Sequence, residues 1–234
     1  QCAFPVLARQ HGVWVRDVAD PGCGGKSGDW HMTRLRHFLA CERGATAAEF
    51  ALVLPAFLLL LFGTLDLGRF AWELNRAERA TQVGARWAVA TNMVASGLKD
   101  YSFAASGEVP QGEPVSSALF GKVVCEGTAS SATCSCTAGS CPFPVTSDSA
   151  AFRLFVERMQ EVYPRIDYEN VRITYSHSGL GFAGDPNAPD VAPLATVSLH
   201  GIQFNSILLL GGQFEMPAFP YTLPMEDGSG TTSN

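Results

Sequence analysis

The sequence predicts an α+β protein: a long N-terminal helix, first transmembrane and then a stalk, followed by a small domain with one amphipathic helix on a short antiparallel sheet. Three observations predict this class. An apolar stretch covers residues 45–65, and helical spacing of apolar residues continues through 66–95. After a region rich in small residues at 96–148, residues 149–226 read as one helix and several strands.

The apolar stretch is long enough to cross a membrane. From Ala45 to Leu65 the chain has 21 residues, and Glu49 is the only charged one. At 1.5 Å of rise per residue the helix is about 31 Å long, which matches the hydrocarbon core of a bilayer. Pro55 lies in the middle and removes one helix hydrogen bond, so we expect a kink there. A lone carboxylate in such a helix is costly and needs a compensating group.

The residues before the stretch resemble a short basic leader. Residues 32–44 contain three arginines and one glutamate, so the positive-inside rule predicts that this end stays in the cytoplasm. The domain after the helix then lies on the opposite side of the membrane. Residues 1–31 have many glycines and no sustained period, and we expect them to be disordered. We hypothesise that Met32 is the true start and that residues 1–31 are a non-native upstream segment. Peptides from residues 1–31 in the cellular precursor would contradict this.

The charge of the distal part excludes nucleic acid as a partner. From Trp87 to the end there are 14 acidic and 6 basic residues, a net charge of −8. Binding of phosphates requires a basic surface instead. Two histidines and three aspartates lie near the predicted strands, but no metal-ligand spacing repeats among them. We therefore expect no metal, no cofactor and no enzymatic activity; these residues are His177, His200, Asp167, Asp185 and Asp190.

The stalk at 66–95 carries a ridge of small residues. Ala80, Gly84 and Ala88 recur every four residues, a spacing that permits close helix approach. The ridge is suited either to a partner's helix or to this chain's own domain. Arg69 and Glu73 are spaced as a helical ion pair. The whole helix is expected to reach roughly 50 residues, or about 75 Å.

The region 96–148 contains four cysteines within a stretch of 17 residues. Apart from a short strand at 123–125, the rest of this region is expected to be irregular. An even, tight group of cysteines outside a membrane predicts disulfides, and no histidine lies nearby to favour zinc. Cys134 and Cys136 are too close to pair with each other. Two pairings remain: Cys125 with Cys136 and Cys134 with Cys141, or Cys125 with Cys134 and Cys136 with Cys141.

The last part of the chain predicts a helix and strands. Residues 148–163 have one apolar face, with Asp148 or Ser149 as the N-cap. Alternation predicts strands at 168–176 and 192–204, and we expect the apolar turn 207–210 to lie under the sheet. Three prolines confine 215–225 to an edge strand or an extended arm. The polar tail 227–234 is expected to be disordered.

One stretch resembles a known family. The residues Arg43-Gly-Ala-Thr-Ala-Ala-Glu-Phe-Ala-Leu-Val-Leu-Pro55, then Asp66-Leu-Gly-Arg69, then Ala77 to Gly84-Ala-Arg86, are similar to TadE-like proteins. These are pseudopilins, or minor pilins, of the tight-adherence (Flp, Tad) pilus system. The resemblance covers residues 43–90, about a fifth of the chain.

The resemblance implies a processing site. Gly44, followed by Glu49 and Phe50, resembles the site at which a prepilin peptidase cuts type IV pilin-like precursors after the glycine. The implied partners are this peptidase, other pilins, pilus assembly platform proteins and inner-membrane lipid. The implied function is assembly of a pilus for adhesion and surface attachment, with no catalytic residues in the chain itself.

The physics of the helix start agrees with this resemblance. Cleavage after Gly44 would leave an ammonium group on Ala45, and this cation can compensate the carboxylate of Glu49. A simpler interpretation makes Glu49 a helix-start residue favoured by the helix dipole. The alternative function is a membrane-anchored periplasmic binding or adhesion module that never joins a filament. A mature N-terminus at Ala45 distinguishes the pilin from the anchor.

Overall fold

The computed structural model describes residues 42–184, 190–225 and Gly230. The hypotheses about residues 1–31 and Met32 lie outside the described residues, as does the tail 227–234 apart from Gly230. The chain divides into two units, residues 1–57 and 58–234. The described part of the first unit is the beginning of a helix, and the second unit holds the remaining elements.

The first element is one long helix, α1, over Glu42–Ala90. Its 49 residues match the predicted length, and it continues through Pro55; the kink itself stays a prediction. The helix ends five residues earlier than expected because the backbone beyond it finds other partners. The Val94 N–H donates to the Tyr175 hydroxyl at 3.0 Å, and the Asp148 N–H donates to the Val94 carbonyl at 2.8 Å.

The predicted α+β class is confirmed. Two short helices, α2 (Ser96–Lys99) and α3 (Ser117–Phe120), precede the sheet. The main sheet is antiparallel in the order β2-β1-β3-β4-β7, with bounds Lys122–Thr128 (β1), Ser131–Ala138 (β2), Val171–Ser176 (β3), Leu194–Leu199 (β4) and Phe219–Pro224 (β7). A second sheet pairs β5 (Gln203–Asn205) with β6 (Gln213–Glu215). The fourth helix, α4, spans Ser149–Val162.

Helix α4 has the amphipathic form that its sequence predicts. The Asp148 carboxylate caps it by accepting the N–H groups of Ala150 at 2.8 Å and Ala151 at 3.0 Å. Its apolar face is buried in the same core as the inward residues of β3, whose alternation also matches the prediction. The buried residues of these two faces are Phe152, Phe155, Val156, Met159, Val171, Ile173 and Tyr175.

The ridge of small residues on α1 packs against α4 of the same chain. Ala80 and Ala88 are buried. A Cβ on Gly84 would lie 2.7 Å from the sulfur of Met159 and 3.2 Å from the Phe155 ring. Helix α1 therefore approaches α4 closely only because residue 84 has no side chain. The ridge belongs to the core, and the interpretation as a surface for a partner's helix is wrong.

The region 96–148 differs from the expected irregular segment. It contains the hairpin β1–β2, and β1 pairs with β3 so that Cys125 lies opposite Ile173. Val123 and Cys125 are fully buried and alternate with more exposed residues. The pattern is hard to recognise in the sequence because the inward positions of β2 are small residues, Ala132 and Cys134, which carry little apolar signal.

Two further expectations for the C-terminal part are wrong. The single strand predicted at 192–204 is interrupted at His200 and Gly201, where the Asn170 side chain donates to the His200 carbonyl at 3.0 Å. The apolar turn 207–210 is not covered by the sheet, since the Leu210 side chain is 98% exposed. The proline-rich segment does form an edge strand, because β7 has only β4 as its neighbour.

Candidate functional site

The first half of α1 presents an uncovered apolar surface. The best 18-residue window of the helix has a mean hydropathy of 2.2, and only 6% of it is buried. By length and composition the helix can cross a membrane. Its large exposed side chains are Phe50, Leu52, Val53, Leu54, Phe57, Leu58, Leu59, Leu60, Leu61, Phe62 and Leu65.

The residues of the predicted processing site lie on the first turns of this helix. The helix begins at Glu42, so the backbone is helical at Gly44 and at Ala45. Glu49 follows Ala45 by four residues, about 6 Å of rise, which places both positions on one face. The side chains of Glu49 and Phe50 are exposed. The helical backbone at Gly44 means that a peptidase would have to unwind this turn to reach the bond.

Asp66 forms a buried anchor point at the end of the apolar stretch. Its side chain accepts hydrogen bonds from the Ser206 hydroxyl at 2.6 Å, the Ile207 N–H at 3.0 Å and the Leu208 N–H at 2.7 Å. The Arg69 guanidinium lies 3.1 Å from the same carboxylate and forms an ion pair with it. These bonds fix the connection between β5 and β6 against the helix.

The same contacts set the acidity of this carboxyl group. The hydrogen bond from Ser206, followed by those from Leu208 and Ile207 and the nearby Arg69 charge, lowers the pKa of Asp66 from 3.8 to about 2. The sequence singles out Asp66 as part of the stretch that resembles TadE-like proteins, but not as a contact of the distal domain. No local signal could have revealed its role, because its partners lie 140 to 142 residues away.

We expect this anchor point to weaken in acid. Because the pKa of Asp66 is lower in the folded state, its stabilisation is complete above 3.8 and is lost as the pH falls through about 2. Amide exchange at Ile207 and Leu208, corrected for the intrinsic rate, should therefore accelerate between these pH values. The Asp66→Asn variant should show faster exchange at all pH values and no acceleration in this window. Equal protection of these amides in the wild-type protein at both ends of the window would contradict the assignment.

A second set of polar contacts fixes the stalk to the domain. The Arg76 guanidinium donates to the Val162 carbonyl at 2.9 Å and lies 5.6 Å from the centre of the Tyr163 ring. Burial raises the pKa of the Tyr163 hydroxyl, and the adjacent Glu73 raises it further. The Glu73 carboxylate pairs with Arg165 at 3.4 Å, and Arg69 pairs with Asp66. The ion pair expected between Arg69 and Glu73 is therefore wrong, because Arg69 pairs with Asp66 on the same helix and Glu73 pairs with Arg165 of the domain.

The four distal cysteines form two disulfides. Cys125 bonds to Cys134 across the β1–β2 pair, and Cys136 bonds to Cys141 beyond β2. This is one of the two pairings that the sequence leaves open. The bonds tie the hairpin at the outer edge of the sheet to itself and to the segment that follows it.

Three of the histidines and aspartates near the strands have structural partners, namely His177, Asp190 and Asp167, whereas the buried Nδ1 atom of His200 has no partner among the described residues. The Nε2 atom of His177 lies 2.7 Å from the Val115 carbonyl oxygen. The buried Asp190 carboxylate accepts from the Phe103 N–H at 2.6 Å, and Asp167 and Asn170 form a capping box. Asp185 lies outside the described residues. Within residues 42–184 and 190–225, no group of three or more His, Cys, Asp or Glu residues is arranged to hold a metal ion.

Comparison with known proteins gives one finding. Residues 44–86 match the family model of TadE-like proteins. No curated protein and no solved structure matches the chain. The matched segment starts at Gly44, includes the apolar surface and Asp66, and ends within the part of α1 that packs on α4. Over residues 44–86, the chain is therefore similar to TadE-like proteins.

Proposed function

We propose that this protein is a minor pilin, or pseudopilin, of a tight-adherence pilus. A prepilin peptidase would cut it after Gly44 while α1 spans the bacterial inner membrane, with the N-terminus in the cytoplasm and the domain in the periplasm. The processed protein would then join or prime a filament for adhesion and surface attachment. The observation that carries this proposal is the match of residues 44–86 to TadE-like proteins on a helix that is long and apolar enough to cross a membrane.

The division of α1 into two halves supports assembly through the first half. From Ala77 onward, one face of α1 is buried against the domain, and this face includes the ridge at Ala80, Gly84 and Ala88. Within the part of the chain that the structure describes, the large apolar side chains between Phe50 and Leu65 are exposed. These side chains can lie in lipid before assembly and against helices of other pilins after it, since both surroundings are apolar.

The charges at the helix start suit the same sequence of events. Before cleavage, Glu49 is the only charged residue in the apolar stretch 45–65. Cleavage would place an ammonium group on Ala45, one helical turn away or on the neighbouring subunit in a filament. Pairing of these two charges lowers the cost of placing either one in an apolar environment.

The N-terminus of the mature protein tests the proposal. Mass spectrometry of the protein from cells that make the pilus should find chains that begin at Ala45, and sheared filaments should contain the same species. Chains that retain residues before Gly44, in cells whose other pilins are processed, would contradict the proposal. That result would favour a membrane-anchored periplasmic module that stays outside the filament.

We expect Glu49→Ala to separate processing from assembly. Cleavage after Gly44 should continue, because the peptidase bond lies one turn away, but the new ammonium on Ala45 would lack its partner. Loss of one member of an ion pair in apolar surroundings costs several kcal/mol, so incorporation into filaments should fall by about tenfold or more. Quantitative immunoblotting of sheared filaments against membranes measures this ratio. Glu78→Ala, at an exposed glutamate later on the same helix, is the matched control and should assemble normally.

A further inference from the structure

The connection between β5 and β6 carries an exposed apolar tip, which we define as residues 207–210. Ile207 is 48% exposed, Leu209 is 55% exposed and Leu210 is 98% exposed. The segment from Ser206 to Gly212 contains no charged residue. An exposed group of large apolar side chains in a row marks a surface that meets another apolar phase.

The apolar tip lies beside the end of the apolar stretch of α1. Its backbone is bonded to Asp66, the first residue after the stretch. The Leu208 side chain reaches back along the helix, and its Cδ2 atom is 3.9 Å from the position of a Cβ on Gly63. Gly63 lies three residues before Asp66, about 4.5 Å along the helix axis. The tip is therefore level with the last turn of the candidate membrane span.

The backbone N–H groups of the tip need no water as a hydrogen-bond partner. All six N–H groups from residue 207 to residue 212 have acceptors within the chain. Asp66 accepts from the first two, and the Ser206 hydroxyl accepts from Leu209 at 3.1 Å. Carbonyl groups of the same turn accept from residues 210, 211 and 212 at 2.9 to 3.0 Å. These bonds satisfy the N–H groups of the tip, which lowers the cost of bringing this turn to the edge of an apolar phase.

The conformation of Leu210 gives an independent indication. Its φ is 51°, in the left-handed region that residues other than glycine, asparagine and aspartate rarely adopt. Glycine would be less strained here, yet a leucine occupies the position and its side chain has almost no cover from the described chain. The turn thus directs the Leu210 side chain outward.

We propose that the apolar tip inserts into the lipid of the leaflet from which α1 emerges. This rests on the part of the proposed function that places α1 across a membrane. The Asp66 anchor point would hold the tip at membrane level, and the exposed Trp72, six residues further along α1, would lie in the interfacial zone that suits tryptophan. The domain would then have two attachments to the membrane, the helix and the tip.

Site-specific photocrosslinking tests this insertion. The full chain is reconstituted in vesicles of phosphatidylethanolamine and phosphatidylglycerol, with a benzophenone amino acid at position 210, 59 or 180. Leu59 lies in the apolar stretch, and Leu180 is an exposed leucine in the loop beyond the end of β3. Mass spectrometry should find phospholipid adducts at positions 210 and 59, with at least about tenfold fewer at position 180. Resistance of the domain to protease shows that each variant is folded.

Each outcome decides the proposal. Lipid adducts at position 59 together with none at 210, or with adducts to a second copy of the chain at 210, would overturn the insertion while leaving the membrane span intact. Equal lipid adducts at positions 210 and 180 would show nonspecific labelling and would also overturn it. An absence of lipid adducts at position 59 would remove the membrane span and the insertion together. Processing after Gly44 is measured separately and does not enter this test.

Discussion

Replacement of Gly44 by valine is expected to abolish maturation. A peptidase must unwind the first turn of α1 and hold the backbone around Gly44 extended in its cleft. A branched side chain beside the scissile bond would raise the barrier to cleavage by several kcal/mol. The rate of cleavage would then fall by about 100-fold or more. The ratio of precursor to mature protein in cells, measured by mass spectrometry, should change from mostly mature to almost entirely precursor.

The control for this prediction is a valine placed nearby on the same helix. Ala47→Val adds the same side chain at an exposed position three residues beyond Gly44. This variant should still insert in the membrane and mature, which separates a defect in cleavage from a defect in expression. Normal maturation of Gly44→Val would show that the bond after Gly44 is not the one cut.

Substitution of Gly127 is expected to destabilise the domain more than any other small change on the sheet. A Cβ at this position would lie 1.7 Å from the carbonyl oxygen of Tyr168 and 2.9 Å from the Phe152 ring. The Tyr168 backbone belongs to a short 3-10 turn, residues Tyr168–Asn170, held by the capping box of Asp167 and Asn170. The obstacle is therefore fixed backbone, and Gly127→Ala should cost about 3 kcal/mol or more.

Thermal unfolding of the full chain in detergent measures this effect. For a domain of this size, a loss of about 3 kcal/mol lowers Tm by roughly 6–12 °C. Gly68→Ala is the matched control, because a Cβ there meets nothing within 4 Å and the residue lies in helix α1. That variant should be unchanged or more stable by up to about 1 kcal/mol, since alanine favours a helix. A Tm for Gly127→Ala equal to that of the wild-type protein would contradict the close approach of Tyr168.

The parts of the fold that could be predicted are those with local, periodic signals. Helix α1 and helix α4 repeat their apolar residues at helical spacing over many turns, and β3 alternates cleanly. Only a short strand at 123–125 was predicted in the hairpin β1–β2, because the inward residues of β2 are small. The ridge at Gly84 was recognised, but its partner could not be identified, since small residues permit close packing against any helix.

The candidate site likewise has one part that a local sequence pattern predicts and another that depends on contacts distant in the sequence. Gly44 and Glu49 could be singled out from a short pattern, whereas the partners of Asp66 are far away in the sequence and only the fold brings them together. The apolar tip was expected under the sheet because four large apolar residues in a row usually mark a core. In the structure, their backbone follows a tight turn beside α1, and no part of the sheet reaches it.

The burial of Ala77, Ala85 and Val89 has a mechanical consequence. The helix that leaves the apolar stretch is also the central element of the domain's core, so no flexible linker lies between the described residue 58 and that core. Tension applied along α1 passes into the interface with α4 and the bonds at Asp66 and Arg76 as shear. Such an interface resists force by many simultaneous contacts, so a pull strong enough to extract the helix would have to unfold the domain.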